Sequence, residues 1–154
     1  MTAVPHDIAR QGDVSSMTRL LSEGLDPDLV DPRGFSLLMI AAYSNQTAMT
    51  KLLLANGANP DLKDVRGNTP LMGMAFKGYV EPSRVLLAHG ASINALNTDG
   101  ATALIMSAMF KQREFAEFLI EAGADKSISD AQGKTAAQHA MAHELGEEFV
   151  SVFK

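Results

Sequence analysis

Two histidines near the end of the chain are the strongest candidates for metal ligands in this sequence. His139 and His143 lie four residues apart, and Glu144 follows directly. On a helix this spacing places both imidazoles on one face, where they could bind zinc. However, the sequence implies no third ligand, and the order differs from the His-Glu-x-x-His of zinc proteases. We therefore expect an exposed terminal helix that carries two histidines without a metal.

Other residue types that support catalysis lack the arrangement that catalysis needs. The serines occupy helix-cap or surface positions, and no strained nucleophile turn surrounds them. The glycines do not cluster into a loop that could hold a phosphate. The sequence contains no cysteine, so disulfides and thiolate metal sites are excluded. These observations predict a protein that is not an enzyme and that uses no cofactor.

The elements that must position these side chains recur at a fixed period of about 33 residues, which indicates a stacked repeat protein. Two glycine series have this spacing, and their members are Gly34, Gly67, Gly100 and Gly133, and Gly24, Gly57, Gly90 and Gly123. A serine or threonine follows each glycine of the first series by two residues, where its hydroxyl can cap a helix. Glycines of the second series follow apolar runs and are placed to end a helix.

The segment from Asp64 to Leu96 carries the pattern most fully and resembles an ankyrin repeat. It contains Asp-x-x-Gly-x-Thr-Pro-Leu, then an alanine-containing helix, then Leu-Leu-x-x-Gly-Ala. The resemblance covers the whole chain and is to small ankyrin proteins of bacterial type with about five repeats, caps included. It implies an all-α solenoid of five helix–turn–helix units with connecting β-hairpin loops. The expected single domain, 1–154, divides into units 1–30, 31–63, 64–96, 97–129 and 130–154.

Composition narrows the function classes further. The formal net charge is −5, which argues against a general nucleic-acid binder, because neutralised phosphates supply most of that affinity. The first residues lack a basic segment followed by an apolar run, so we expect no signal peptide. No apolar stretch approaches the roughly 18 residues of a membrane helix. A cytoplasmic monomer without a membrane contact is the resulting expectation.

The resemblance also implies where a partner binds. In ankyrin stacks the hairpin tips and the exposed side of the first helices form a concave face. The partner-binding residues expected there are Arg33, Phe35, Tyr43, Lys63, Arg66, Phe76, Lys77, Met109 and Phe110. The wider face is expected to hold six of the 13 lysines and arginines, but of the 18 carboxylates only Asp99.

A positive face with large aromatic side chains predicts an acidic protein partner with apolar anchors. The aromatic rings could instead be packing between neighbouring first helices, and the sequence leaves this alternative open.

The expected function is therefore a non-enzymatic protein–protein interaction module. Analogy with the ankyrin family adds a role as accessory or self-protection partner of an enzyme. Two alternatives stay open. One is an accessory protein that handles a metal or haem through its histidines and nine methionines. The other, less favoured by the net charge, is a nucleic-acid binder that uses the positive face.

Overall fold

A computed structural model describes residues 4–154 and shows five consecutive helix–turn–helix pairs. In chain order the helices are α1 (Pro5–Gln11), α2 (Val14–Ser22), α3 (Leu37–Tyr43), α4 (Thr47–Ala55), α5 (Pro70–Lys77), α6 (Val80–Ala88), α7 (Ala103–Met109), α8 (Arg113–Glu121), α9 (Ala136–Ala142) and α10 (Glu147–Ser151). Within residues 4–154, β-structure is limited to two isolated bridges at the bases of loops, Val30–Ser36 and Ser129–Thr135. The all-helical repeat fold predicted from the sequence is confirmed. No helix in this part of the chain has the length and apolar character to cross a membrane.

Hydroxyl caps start four of the five first helices. The side chains of Ser36, Thr69, Thr102 and Thr135 each accept the backbone N–H three residues later, at 3.1 to 3.4 Å. Each bond satisfies one of the amides that a helix start leaves without a partner. The predicted capping role of this series is therefore correct.

Left-handed residues turn the chain between the two helices of a pair. The backbone at Asn45, Gly78 and Lys111 has φ of 56°, 75° and 58°. After the second helix of the third pair, Gly90 has φ of 89°, a conformation that costs a residue with a side chain more than it costs glycine. The regular spacing of the glycines thus reflects a turn geometry that repeats from unit to unit.

The apolar core is continuous along the stack. The first helices α3, α5, α7 and α9 contact one another in series, α1 packs against α3, and each second helix packs against its own first helix. Leu53, Leu71, Leu86 and Leu104 are fully buried. Leu52, on α4, is only partly buried. Alanines on the first helices allow these helices to lie close together.

The hairpin tips between pairs are held by their own side chains. In Asp31, Asp64, Asn97 and Asp130, the Oδ1 atom accepts the backbone N–H groups two and four residues later, at 2.8 to 3.0 Å. Adjacent tips also bond directly, since Thr98 N–H donates to the Arg66 carbonyl and Ala131 N–H donates to the Asp99 carbonyl. The tips therefore present a fixed backbone along one side of the stack.

The loops that follow the second helices are linked in a separate series. Asp28 Oδ1 accepts the Asn59 N–H at 2.7 Å, and Asn94 Oδ1 accepts the Asp125 N–H at 2.9 Å. Between them, Asp61 accepts both the N–H and the hydroxyl of Ser92, at 2.9 and 2.8 Å. We call this series the loop ladder. It joins the first four pairs in series through the segments that follow their second helices.

Candidate protein-binding groove

One open groove runs along the first helices and beneath the hairpin tips. Its floor includes Met39, Met72 and Ala101, and its tip side includes Val65 and Thr98. The volume is about 1300 Å³, above the roughly 300–1,000 Å³ of a typical small-molecule pocket. Val65 is the most exposed large apolar residue in the described part of the chain, at 79%. We call this surface the concave groove.

Three aromatic residues form a continuous ridge along the concave groove. Tyr43, Phe76 and Phe110 lie at the ends of α3, α5 and α7. The Tyr43 and Phe76 rings are stacked with centroids 6.2 Å apart, and Phe110 meets Phe76 edge to face at 4.9 Å. These geometries are the favourable ones for aromatic pairs. We call the three rings the aromatic ridge.

The aromatic ridge is both packed and exposed. Its rings touch one another across neighbouring helices, yet Tyr43, Phe76 and Phe110 remain 42%, 47% and 38% exposed. Packing between first helices therefore accounts for one side of each ring and leaves the other side open. The Nζ atom of Lys77 lies 4.7 Å from the Tyr43 centroid, in a cation–π position at the end of the ridge.

The structure brings most of the residues expected at the partner-binding face together. Those that line the concave groove are Arg33, Phe35, Tyr43, Arg66, Phe76, Met109 and Phe110. Lys63 does not line it, because its Nζ turns to donate to the Leu96 carbonyl at 2.8 Å. Lys77 also lies outside the lining and contacts the ridge from its edge.

The expectation of a groove with Asp99 as its only carboxylate was wrong. The lining contains three arginines and three aspartates, which are Arg10, Arg33, Arg66, Asp64, Asp99 and Asp130. The side chains of Asp64 and Asp130 each fold back across their tip to accept loop N–H groups. The charge is divided along the groove. The arginines lie at its N-terminal part, and two of the three aspartates lie at its C-terminal part.

Comparison with known proteins places this architecture in a family. A family model described as ankyrin repeats (3 copies) matches residues 6–97 and 74–152. The chain belongs to the ankyrin repeat family. Ankyrin repeats are generally protein–protein interaction modules and typically non-catalytic scaffolds. No curated protein matches the chain.

The arginines of this ankyrin stack differ in how far their charge is neutralised. Arg33 lies 3.5 Å from Asp31, and Arg10 pairs with Asp7 on the same helix. Although partial burial opposes it, the N–H groups of Phe35 and Arg33 hold the pKa of Asp31 below its usual value. Among residues 4–154, no carboxylate oxygen lies within ion-pair distance of Arg66. Arg66 is therefore the groove arginine whose charge is most available to a partner.

His139 corrects the expectation that the last unit carries two exposed histidines. His143 is exposed, but His139 is buried at the end of the concave groove, and its Nε2 lies 2.6 Å from Asp130 Oδ2. The Lys134 N–H and the His139 imidazole hold the pKa of Asp130 below its ordinary value. The His139 side chain thus bonds to Asp130 in the last hairpin tip. Across residues 4–154, no three His, Asp or Glu side chains converge in a group that could hold a metal ion.

One row of floor residues was not recognised from the sequence. Ile40, Gly73, Met106 and His139 all line the concave groove and occupy the same position in successive ankyrin units. The period that located the tips would also have located this row. Its members share no chemical type, so the recurrence of residue types along the sequence does not reveal it.

Proposed function

We propose that the concave groove binds a segment of a partner protein and that the aromatic ridge is its principal anchor. The observation that carries this proposal is the exposure of three contiguous aromatic side chains, which are 38% to 47% exposed to solvent. Large aromatic side chains dominate the binding energy of protein interfaces when a partner covers them. A contiguous apolar patch on a water-exposed face favours an interaction surface over core packing alone.

The dimensions and polarity of the groove favour a protein segment over a small ligand. The volume of about 1300 Å³ accommodates several side chains at once. Exposed backbone and polar side chains at the tips, such as Thr98 and Gln132, can bond to the backbone of a bound segment. The groove therefore combines an apolar core with a polar rim, as protein interfaces do. A role as accessory partner of an enzyme, a monomeric state and a cytoplasmic location stay predictions.

The test is a selection of binding peptides followed by affinity measurements. Displayed random peptides of about 12 residues, which span about 40 Å when extended, are selected on the immobilised full chain. Dissociation constants of the enriched peptides are then measured for the wild type and for Tyr43→Ala, Phe76→Ala and Phe110→Ala. We expect each substitution to weaken binding by about tenfold or more, mainly through faster dissociation.

Met141→Ala is the matched control for these variants. Met141 is an apolar residue on a first helix, is 53% exposed, and lies outside the concave groove. Its substitution should leave the affinity unchanged. Melting temperatures measured on the same proteins separate lost contacts from lost folding. If no enriched peptide depends on the aromatic ridge, or if Met141→Ala weakens binding as much as Phe110→Ala, the proposed function is wrong.

A further inference from the structure

The floor row of the concave groove is interrupted at its third unit by a glycine. At this row the second, fourth and fifth units carry Ile40, Met106 and His139, all of which are large. Gly73 lies inside α5, between Pro70 and Lys77, and its φ is not in the positive region. Glycine is a poor helix former compared with alanine, so the backbone gives no reason for glycine at this place.

Packing does not require a glycine here either. A Cβ atom added to Gly73 would have one neighbour within 4 Å, Tyr43 Cδ2 at 3.6 Å, which is an ordinary van der Waals contact. The absent side chain therefore leaves open space in the floor. Along the floor row this space lies between Ile40 and Met106, and Tyr43 of the aromatic ridge is beside it. We call it the Gly73 notch.

The charges around the notch are unequal on its two sides. The N-terminal part of the groove lining contains Arg33, Asp64 and Arg66. Arg33 lies 3.5 Å from Asp31, whereas Arg66 has no ion-pair partner among residues 4–154. On the C-terminal side lie Asp99 and Asp130, with carboxylates at the groove lining. An acidic residue of a bound segment is therefore favoured beside Arg66 and disfavoured beside Asp99 and Asp130 in the last part of the groove.

We propose that the Gly73 notch receives one bulky apolar side chain of the bound protein segment, with acidic residues of that segment placed toward Arg33 and Arg66. The inference rests on the proposed function. It adds where an apolar side chain of the segment binds and which part of the groove the acidic residues of the segment face. The shape of the notch selects the apolar side chain, because the Tyr43 ring is the one neighbour within 4 Å of the absent Cβ and the space beyond it is open to the groove. Arg66, which has no ion-pair partner among the described residues, favours acidic residues next to that apolar side chain in the bound segment.

The first arm of the test fills the notch. Peptides enriched on the wild-type chain are measured against Gly73→Ala and Gly73→Leu, with Ala55→Leu, an exposed helix position outside the concave groove, as the control. Gly73→Leu should weaken binding by about tenfold or more, because the leucine occupies the space of the apolar side chain. The melting temperature should not fall, and for Gly73→Ala it should rise, because alanine favours the helix. Ala55→Leu should bind as the wild type does.

The second arm tests contact and direction. Replacing the bulky apolar residue of the peptide by alanine should cost affinity on the wild type but little on Gly73→Leu, so the two changes are coupled. The double variant Arg33→Glu with Arg66→Glu should lose binding to the acidic peptide by about tenfold or more and regain it when the peptide acids are replaced by lysine.

The outcomes distinguish this inference from the proposed function. If Phe110→Ala weakens binding but Gly73→Leu binds as the wild type does, the groove binds protein and the notch inference is wrong. The inference also fails if the enriched peptides lack an apolar residue beside acidic ones, or if the peptide and Gly73 changes are additive. If no selected peptide depends on the aromatic ridge, the proposed function fails and the inference fails with it.

Discussion

Asp130 connects the last hairpin tip of the stack to the floor of the groove. One carboxylate oxygen accepts the N–H groups of Gln132 and Lys134, and the other meets the imidazole of His139. These bonds favour the charged carboxylate, so the pKa of Asp130 in the folded chain lies below its ordinary value of 3.8. A group whose pKa is lowered by folding contributes stability above its unfolded pKa. That stability is lost as the pH falls through the folded pKa.

This linkage makes a prediction for Asp130→Asn. The asparagine keeps the oxygen that accepts the loop N–H groups, as Asn97 does in the preceding unit, but it removes the charge. Free energies of unfolding from urea titrations should show a less stable variant at about pH 5.5 and a smaller difference at about pH 3. The lowered pKa values of Asp13, Asp31 and Asp125 are common to both proteins and cancel in the comparison. An equal difference at both pH values would contradict this account.

At the scale of residues, the site could be predicted only in part. The aromatic ridge follows from the repeat period and from family geometry, because the rings sit at equivalent helix ends. The turning of Lys63 to a carbonyl and of Asp64 back across its tip depends on side-chain rotation, which no sequence spacing encodes. The burial of His139 likewise depends on a partner, Asp130, in the neighbouring loop. Charge at the groove is therefore the feature that the sequence predicted least well.

At the scale of elements, the helix starts are the best determined features, and α7 depends on a single side-chain cap. Thr102 is buried, and its Oγ1 accepts the Ile105 N–H at 3.1 Å. In α5 and α9 the residue equivalent to Ile105 also accepts the backbone N–H of the capping threonine. Met72 does so for Thr69, and Gln138 does so for Thr135. Ile105 has no atom that can accept such a bond.

Thr102→Ala should therefore destabilise the chain by about 1 kcal/mol, the typical value for loss of a side-chain cap, with a small addition for lost packing. Thr102→Ser retains the hydroxyl and is the control that should keep most of this stability. Denaturant midpoints followed by circular dichroism give the comparison. If the serine variant loses as much as the alanine variant, packing of the threonine methyl, and not the cap, accounts for the effect.

At the scale of the whole molecule, the loop ladder couples neighbouring pairs in addition to their apolar contacts and the bonds between hairpin tips. Stacks of this kind unfold cooperatively only when the interfaces between neighbours are strong compared with each unit. Asp61 is the central rung, with two bonds to Ser92. Asp28, Asp61 and Asn94 recur at the repeat period, so their positions were present in the sequence, but their partners lie in the next unit and were not predicted.

Asp61→Ala should reduce stability by about 1–2 kcal/mol and broaden the denaturant transition, because weaker coupling lets the two halves of the stack unfold separately. Asp61→Asn keeps an oxygen for the Ser92 N–H, as Asn94 does for Asp125, and should retain a steep transition. Hydrogen exchange of α3 and α7 amides shows whether the halves separate. Equal broadening in both variants would indicate that the carboxylate charge, rather than the bond to the loop, is responsible.

The direct bonds between hairpin tips also determine how the molecule resists bending. The tip at 64–67 is tied to the tip at 97–100 through Arg66 and Thr98, and the tip at 97–100 to the tip at 130–133 through Asp99 and Ala131. Among residues 4–154, no backbone bond of this kind ties the tip at 31–34 to the tip at 64–67. Under a bending load the C-terminal part of the stack therefore acts as a stiff beam, and the curvature changes first near Arg33. We expect a bulky partner to be accommodated by opening of the stack at its N-terminal end, while the far end keeps its shape.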